Sequence, residues 1–115
     1  MNQTVTMPHE PQRLRALERA NEVRLARAEL KRRIAEGDVS AAEVILTSPW
    51  EARSWALGEL LLSQRRWGGT RCRKFLSRLQ ISETKQIGTL TERQRRALAA
   101  QLEAGATREL ELVAV

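Results

Sequence analysis

Residues 65–79 read RRWGGTRCRKFLSRL, from Arg65 to Leu79. Two arginines and Trp67 lead into the paired glycines Gly68 and Gly69, after which the run continues as a basic helix over Thr70–Leu79. Backbone N–H groups at a glycine turn and at a helix N-terminus point outward at an anion, and cationic side chains beside them complete the grip. The stretch therefore reads as a phosphate-binding hairpin, and the rest of the chain is read outward from it.

The charge of the whole chain agrees with that reading. Twenty Lys and Arg against fourteen Asp and Glu give +6 and a pI near 10.9, and seventeen of the cations are arginine, the residue suited to bidentate phosphate contacts. Residues 1–52 balance eight cations against eight anions, residues 53–96 carry eleven against three, and residues 97–115 sum to −2. The excess lies on the hairpin and its flanks, the footprint expected of a nucleic-acid surface, and a polyanionic partner of that kind is favoured over a membrane.

Composition also bounds the fold. A chain of 115 residues makes one domain, and its Leu, Ala and Arg content with 3% aromatics favours helix over sheet. The first eleven residues, polar with Pro8 and Pro11, read as a flexible tail. A helix is expected over 12–36, ended by Gly37. Its apolar side carries Ala16, Val23, Ala26, Leu30 and Ile34, with Glu18, Glu22, Glu29 and Glu36 on a second face. Arg13, Arg24, Arg27 and Lys31 cluster on a third, either as a solvated face or as a track for a phosphate backbone. The capping boxes SAAE (40–43) and SPWE (48–51) predict a short helix to about Thr47 and a core helix from Pro49 toward Gln64, with a break near Arg53–Ser54. Trp50 and Trp55 read as its structural tryptophans, and Gly58 as a point of close packing. TERQ (91–94) opens a last helix, expected to close at Gly105. A single domain over 12–105 follows, with a C-terminal tail over 106–115.

Few parts for catalysis are present: one Asp, one His (His9), one Cys (Cys72) and no Tyr. No catalytic residue, no metal site and no cofactor is expected. Cys72 reads as a small buried residue, with a thiol activated by Arg71 and Arg73 as the alternative. Trp67 reads either as an anchor of the hairpin or as an apolar wedge against bases. One cysteine and no membrane-length apolar run point to the cytoplasm.

In order along the chain, ARAELKRRIAEG, SAAEVIL, GELLLSQ, RRWGGTRC, LQISETKQI and TERQRRAL together resemble the actinobacterial integration host factor family, over about Arg13–Gly105. The resemblance implies an all-α fold: a long basic helix, then a compact bundle of about four helices with a helix-two-turns-helix module. It also implies a nucleoid-associated protein that binds duplex DNA with little sequence preference, bends it or assists recombination; a monomer is expected. By position, Arg66, Gly68, Gly69, Thr70 and Arg71 would grip one strand, joined by Arg65, Arg73 and Lys74. The family's second, basic contact falls on Thr84–Gly88, where only Lys85 keeps a charge. Arg24, Arg27 and Lys31 complete the candidate interface. A structured RNA and an acidic protein partner are the alternative ligands, since a ribosomal protein carries a similar module and the same basic surface suits either.

Overall fold

A computed structural model describes the backbone of residues 9–114, with side chains over 11–106 and at Arg108. Its helices are α1 (His9–Ala35), α2 (Ala41–Thr47), α3 (Leu57–Leu62), α4 (Gly69–Leu79) and α5 (Glu92–Ala114), with 3-10 turns at Trp50–Ala52 and Ile87–Thr89. Among the described residues the only β pairing is a single antiparallel bridge between Ala56 and Gln86. The fold is all-α, as the sequence implied.

Two of the capping signals act as read. Ser40 Oγ accepts the Glu43 N–H at 3.0 Å and opens α2. Thr91 and Gln94 cap α5 reciprocally: Thr91 Oγ1 accepts the Gln94 N–H at 3.1 Å, and Gln94 Oε1 accepts the Thr91 N–H at 2.9 Å. Beyond α1, Gly37 takes φ +84°, the left-handed geometry that lets the chain leave a helix.

The SPWE expectation is overturned. Ser48 is not an N-cap but the left-handed C-cap of α2, with φ 45° and its N–H bonded to the Val44 carbonyl at 2.8 Å. The segment from Pro49 therefore makes only one 3-10 turn before the chain straightens at Ala56, and α3 starts afresh at Leu57. Trp50 is consequently not a core residue. It is 44% exposed, with the Arg19 guanidinium 4.4 Å from its ring centroid, whereas Trp55 is fully buried as expected.

The core gathers Leu30 and Ile34 of α1, Ala41, Ala42, Val44 and Ile45 of α2, and Ala52 and Trp55 of the connection. Leu57, Leu60 and Leu61 of α3, Cys72, Phe75 and Leu76 of α4, and Leu98, Ala99 and Leu102 of α5 close it. Within it α2 packs on α5 and α3 on α4, while α1 lies against the first 3-10 turn. Only the C-terminal half of α1 is docked, because its apolar stripe is continuous there; residues 11–22 are exposed. Since 27 helical residues span about 40 Å, this arm contributes to the elongated 76 × 28 × 24 Å envelope.

Arginines stitch the elements. Arg95 donates to the Ile45 carbonyl at 2.8 Å and to the Ile87 carbonyl at 2.9 Å, joining α5 to α2 and to the second 3-10 turn. On the solvent side of α1, Arg32 holds both Glu29 and Glu36. Its hydrogen bond keeps the Glu29 carboxyl below the usual carboxylate range. A lowered carboxyl stabilises the fold above its unfolded-state pKa and loses that contribution as pH falls, a small effect for an exposed pair.

The last helix departs most from expectation. α5 does not close at Gly105 but runs through it to Ala114, so residues 106–114 are helical rather than a tail. Glycine costs about 1 kcal/mol in a helix interior relative to alanine, and the helix formers around it outweigh that. At the other end α1 starts at His9, with Pro11 inside the first turn, where its missing N–H costs nothing. Of the tail expected over 1–11, residues 9–11 are helical and residues 1–8 lie outside the described residues.

Candidate nucleic-acid interface

The approach to α4 is a tight turn that leads through Trp67 to the extended Gly68. Its left-handed residue is Arg66 (φ 70°), not a glycine; Gly68 is extended at φ −94°, ψ 175°. An arginine held there costs about 1 kcal/mol of steric strain. Arg66→Gly relieves that strain but is partly offset by glycine's larger unfolded-state entropy, so it is expected to raise stability by less than about 1 kcal/mol, seen as an equal or slightly higher thermal midpoint, and to weaken the grip by removing a cation. A lower midpoint would show that Arg66 makes a compensating contact.

Gly68 has no intramolecular packing reason to be glycine, since a Cβ built on it meets nothing within 4 Å. It is the N-cap of α4 and supplies no side-chain cap, and no acidic residue stands in the first turn. The other capped helices differ: α2 has Ser40 and Glu43, and α5 has Thr91 and Glu92. The positive end of the α4 dipole, with the N–H groups of Gly69 and Thr70, is thus exposed and has no anion in its own cap or first turn. The Arg73 guanidinium folds back to 4.0 Å from where a Gly69 Cβ would stand, adding charge at the same end.

Trp67 anchors this turn. Half-buried, it meets Phe75 edge-on with centroids 5.3 Å apart, and the Arg71 guanidinium lies 4.2 Å from its ring centroid. With one face covered by an arginine and an edge against the core, the anchor reading fits better than a free wedge. Cys72 is buried, and burial pushes its thiol above the ordinary value, so the alternative of an arginine-activated thiolate is not supported. Alkylation of Cys72 by iodoacetamide is expected to be negligible in the native protein at neutral pH and to appear with the unfolding transition. Rapid native labelling would contradict this.

The two-turn loop is fixed by backbone, not by charge. Leu57 N–H donates to the Lys85 carbonyl at 2.8 Å and Gly58 N–H to the Glu83 carbonyl at 2.9 Å. Ile87 N–H donates to Trp55 at 3.0 Å and Gly88 N–H to Arg53 at 2.8 Å. Glycine is needed at this seam: a Cβ on Gly58 would stand 3.1 Å from the Glu83 carbonyl oxygen, and one on Gly88 3.0 Å from that of Arg53. The close packing expected at Gly58 is thus against a loop. Lys85 is half-buried on this frame.

Gly69 and Arg73 of the hairpin helix and Glu83 and Thr84 of the loop line one open groove of about 350 Å³, which also contains Glu59. The hairpin and the loop are therefore brought together, with two carboxylates between them. Arg73, Lys74 and Arg78 share a further hollow on the outer side of α4. Arg65, Arg66 and Thr70 are exposed. The α1 cations are more occupied. Arg27 donates to the Glu51 carbonyl at 3.3 Å and to Ser54 Oγ at 2.7 Å, and Arg24 to Asn21 at 2.7 Å. Lys31 Nζ lies 5.7 Å from the Trp55 ring centroid. Arg27 in particular fastens α1 to the connection before α3. Two cations the sequence reading passed over, Arg78 and Arg108, converge with Arg71 beside Trp67; the seven-residue spacing of Arg71 and Arg78 on one helix was the available signal for the first.

Fold and site together define a small all-helical protein with an uncapped helix N-terminus set among arginines. No protein-family model and no curated protein matches the chain. A solved structure does: sIHF bound to an 8-bp palindromic DNA superposes with a TM-score of 0.67 at 29% identity, covering 74% of this chain and 98% of that one. The chain resembles this integration host factor in three dimensions, as its motifs implied.

Proposed function

We propose that this chain binds duplex DNA as a non-enzymatic, monomeric protein that clamps the phosphate backbone with little regard to sequence, in a nucleoid or recombination setting where it bends DNA. The observation that carries the reading is the likeness to sIHF in a DNA-bound structure. Supporting it locally, the uncapped start of α4 and the exposed Arg65, Arg66, Arg71, Arg73 and Lys74 offer the N–H donors and cations that a phosphate strand requires. Lys85 adds a weaker second contact, and Arg24 and Lys31 extend the cationic surface along α1.

Binding through phosphates releases counterions, so log K falls with log salt at a slope of about −0.9 per phosphate neutralised on B-DNA. Titration of two unrelated duplexes and one RNA duplex of equal length across a range of salt tests the reading. Similar, steeply salt-dependent affinity for both DNAs is expected. A flat salt dependence would overturn it, a clear preference for RNA would transfer the site to A-form backbones, and a stoichiometric acidic protein co-purifying without nucleic acid would point to an adaptor.

A further inference from the structure

A notch of about 210 Å³ lies between α4 and α5, lined by Trp67, Arg71, Phe75, Arg78, Gln101, Gly105 and Arg108. We propose that it is a second phosphate-binding site, apart from the start of α4, that takes one phosphate ester on the guanidiniums of Arg78 and Arg108 against the Trp67–Phe75 wall. This goes beyond the proposed backbone grip, and the notch can hold a phosphate whether or not the hairpin does.

Three observations converge on it. Exposed arginines from two different helices line it: Arg71 and Arg78, two turns apart on α4, and Arg108 of α5. Fork-shaped donors approaching from two sides suit a tetrahedral oxyanion, which accepts bidentate contacts. Gly105 lies inside a continuous helix, and a Cβ on it would meet nothing within 4 Å, so packing does not demand a glycine; what it provides is the open floor of the notch. The volume is below the range of about 300–1,000 Å³ for sites that enclose a whole organic ligand, and suits one phosphate with part of its sugar or base. Gln101 lines the α5 side, and on the other side Trp67, stacked by Arg71, meets Phe75 edge-on.

The phosphate could come from the backbone of a bound duplex or from a free nucleotide, and one experiment with two arms separates these sources. The full chain and the variants Arg78→Ala, Arg108→Ala and Gly105→Leu are titrated with a duplex DNA over a range of salt, and with adenosine monophosphate followed by Trp fluorescence. Arg96→Ala serves as the charge control, since Arg96 lies twelve residues, about 18 Å of helix, before Arg108 and pairs with Glu92. Helix content by circular dichroism verifies folding, and the two arginine variants decide the matter if the leucine variant is disturbed. For a backbone phosphate, Arg78→Ala and Arg108→Ala each shrink the DNA salt slope by about one, and Gly105→Leu weakens DNA several-fold while Arg96→Ala leaves the slope in place. For a free nucleotide, the parent chain binds the monophosphate, the notch variants lose it at least ten-fold, and the DNA slope is unchanged. If the notch variants match Arg96→Ala in both arms, the site is refuted. If no form binds DNA but the monophosphate is held, the backbone-clamping function fails and the notch stands.

Discussion

Replacing Arg66 and Arg71 together by alanine is expected to weaken binding to every duplex alike, by on the order of 100-fold. A hydrogen bond to a charged group contributes about 1.5–3 kcal/mol, so losing two at the lower figure amounts to about 3 kcal/mol, or two decades in Kd. The salt slope should shrink by about two in the same experiment. On the backbone-clamping reading both side chains grip phosphates, so unrelated sequences should suffer equally; loss confined to one sequence would mean that bases are being read. Lys85→Ala should cost far less, since Lys85 is half-buried and is the single cation of its loop, two residues from Glu83 on the same backbone frame. A greater loss from Lys85→Ala than from the double variant would invert the ranking of the two contacts. Arg71 also stacks on Trp67, so the thermal midpoint of the double variant must be measured beside its affinity.

Trp55→Ala is expected to cost about 3–5 kcal/mol, the range for truncating a buried large aromatic. Its ring is fully enclosed, and its carbonyl accepts from Ile87 in the seam that fixes the two-turn loop. Against a total stability of about 5–15 kcal/mol for a domain, such a loss would bring the urea midpoint close to zero or unfold the protein outright. Trp55→Phe should be much milder. The indole N–H is buried and finds no hydrogen-bond partner among the described residues, so phenylalanine removes an unsatisfied donor along with the lost area. Equal damage from both changes would mean that the N–H has a partner, such as a bound water.

Several elements were legible in the sequence because their determinants are local. Ser40 with Glu43 and Thr91 with Gln94 are neighbours three residues apart, and each cap forms as the side-chain chemistry requires. Leu30 and Ile34 fall on one helical face wherever the helix is placed, so their burial follows from spacing. Misreadings came where two local signals competed. Ser48 could cap the helix after it or the helix before it, and the left-handed turn after Val44 won. Gly105 carries a stop signal that the helix formers around it override. Trp50 belongs to the core only if a helix starts at Pro49; that segment is a single 3-10 turn, and the ring lies exposed against Arg19.

The stretch from Arg65 to Leu79 shows the same division within the candidate site. From the sequence alone came its basic helix, its glycines and its concentration of charge, because charge count and helix propensity belong to the residues themselves. Tertiary structure decided how those charges are used. It put the left-handed bend on Arg66 rather than on a glycine, left the start of α4 uncapped, laid Arg71 on Trp67, and diverted Arg27 to fasten α1. It alone brought Arg108 from α5 to Arg71 and Arg78 on α4. The physical reason is reach: a helix dictates which of its residues share a face, but which carbonyl, ring or guanidinium meets that face depends on segments distant in sequence and is fixed only when the core closes.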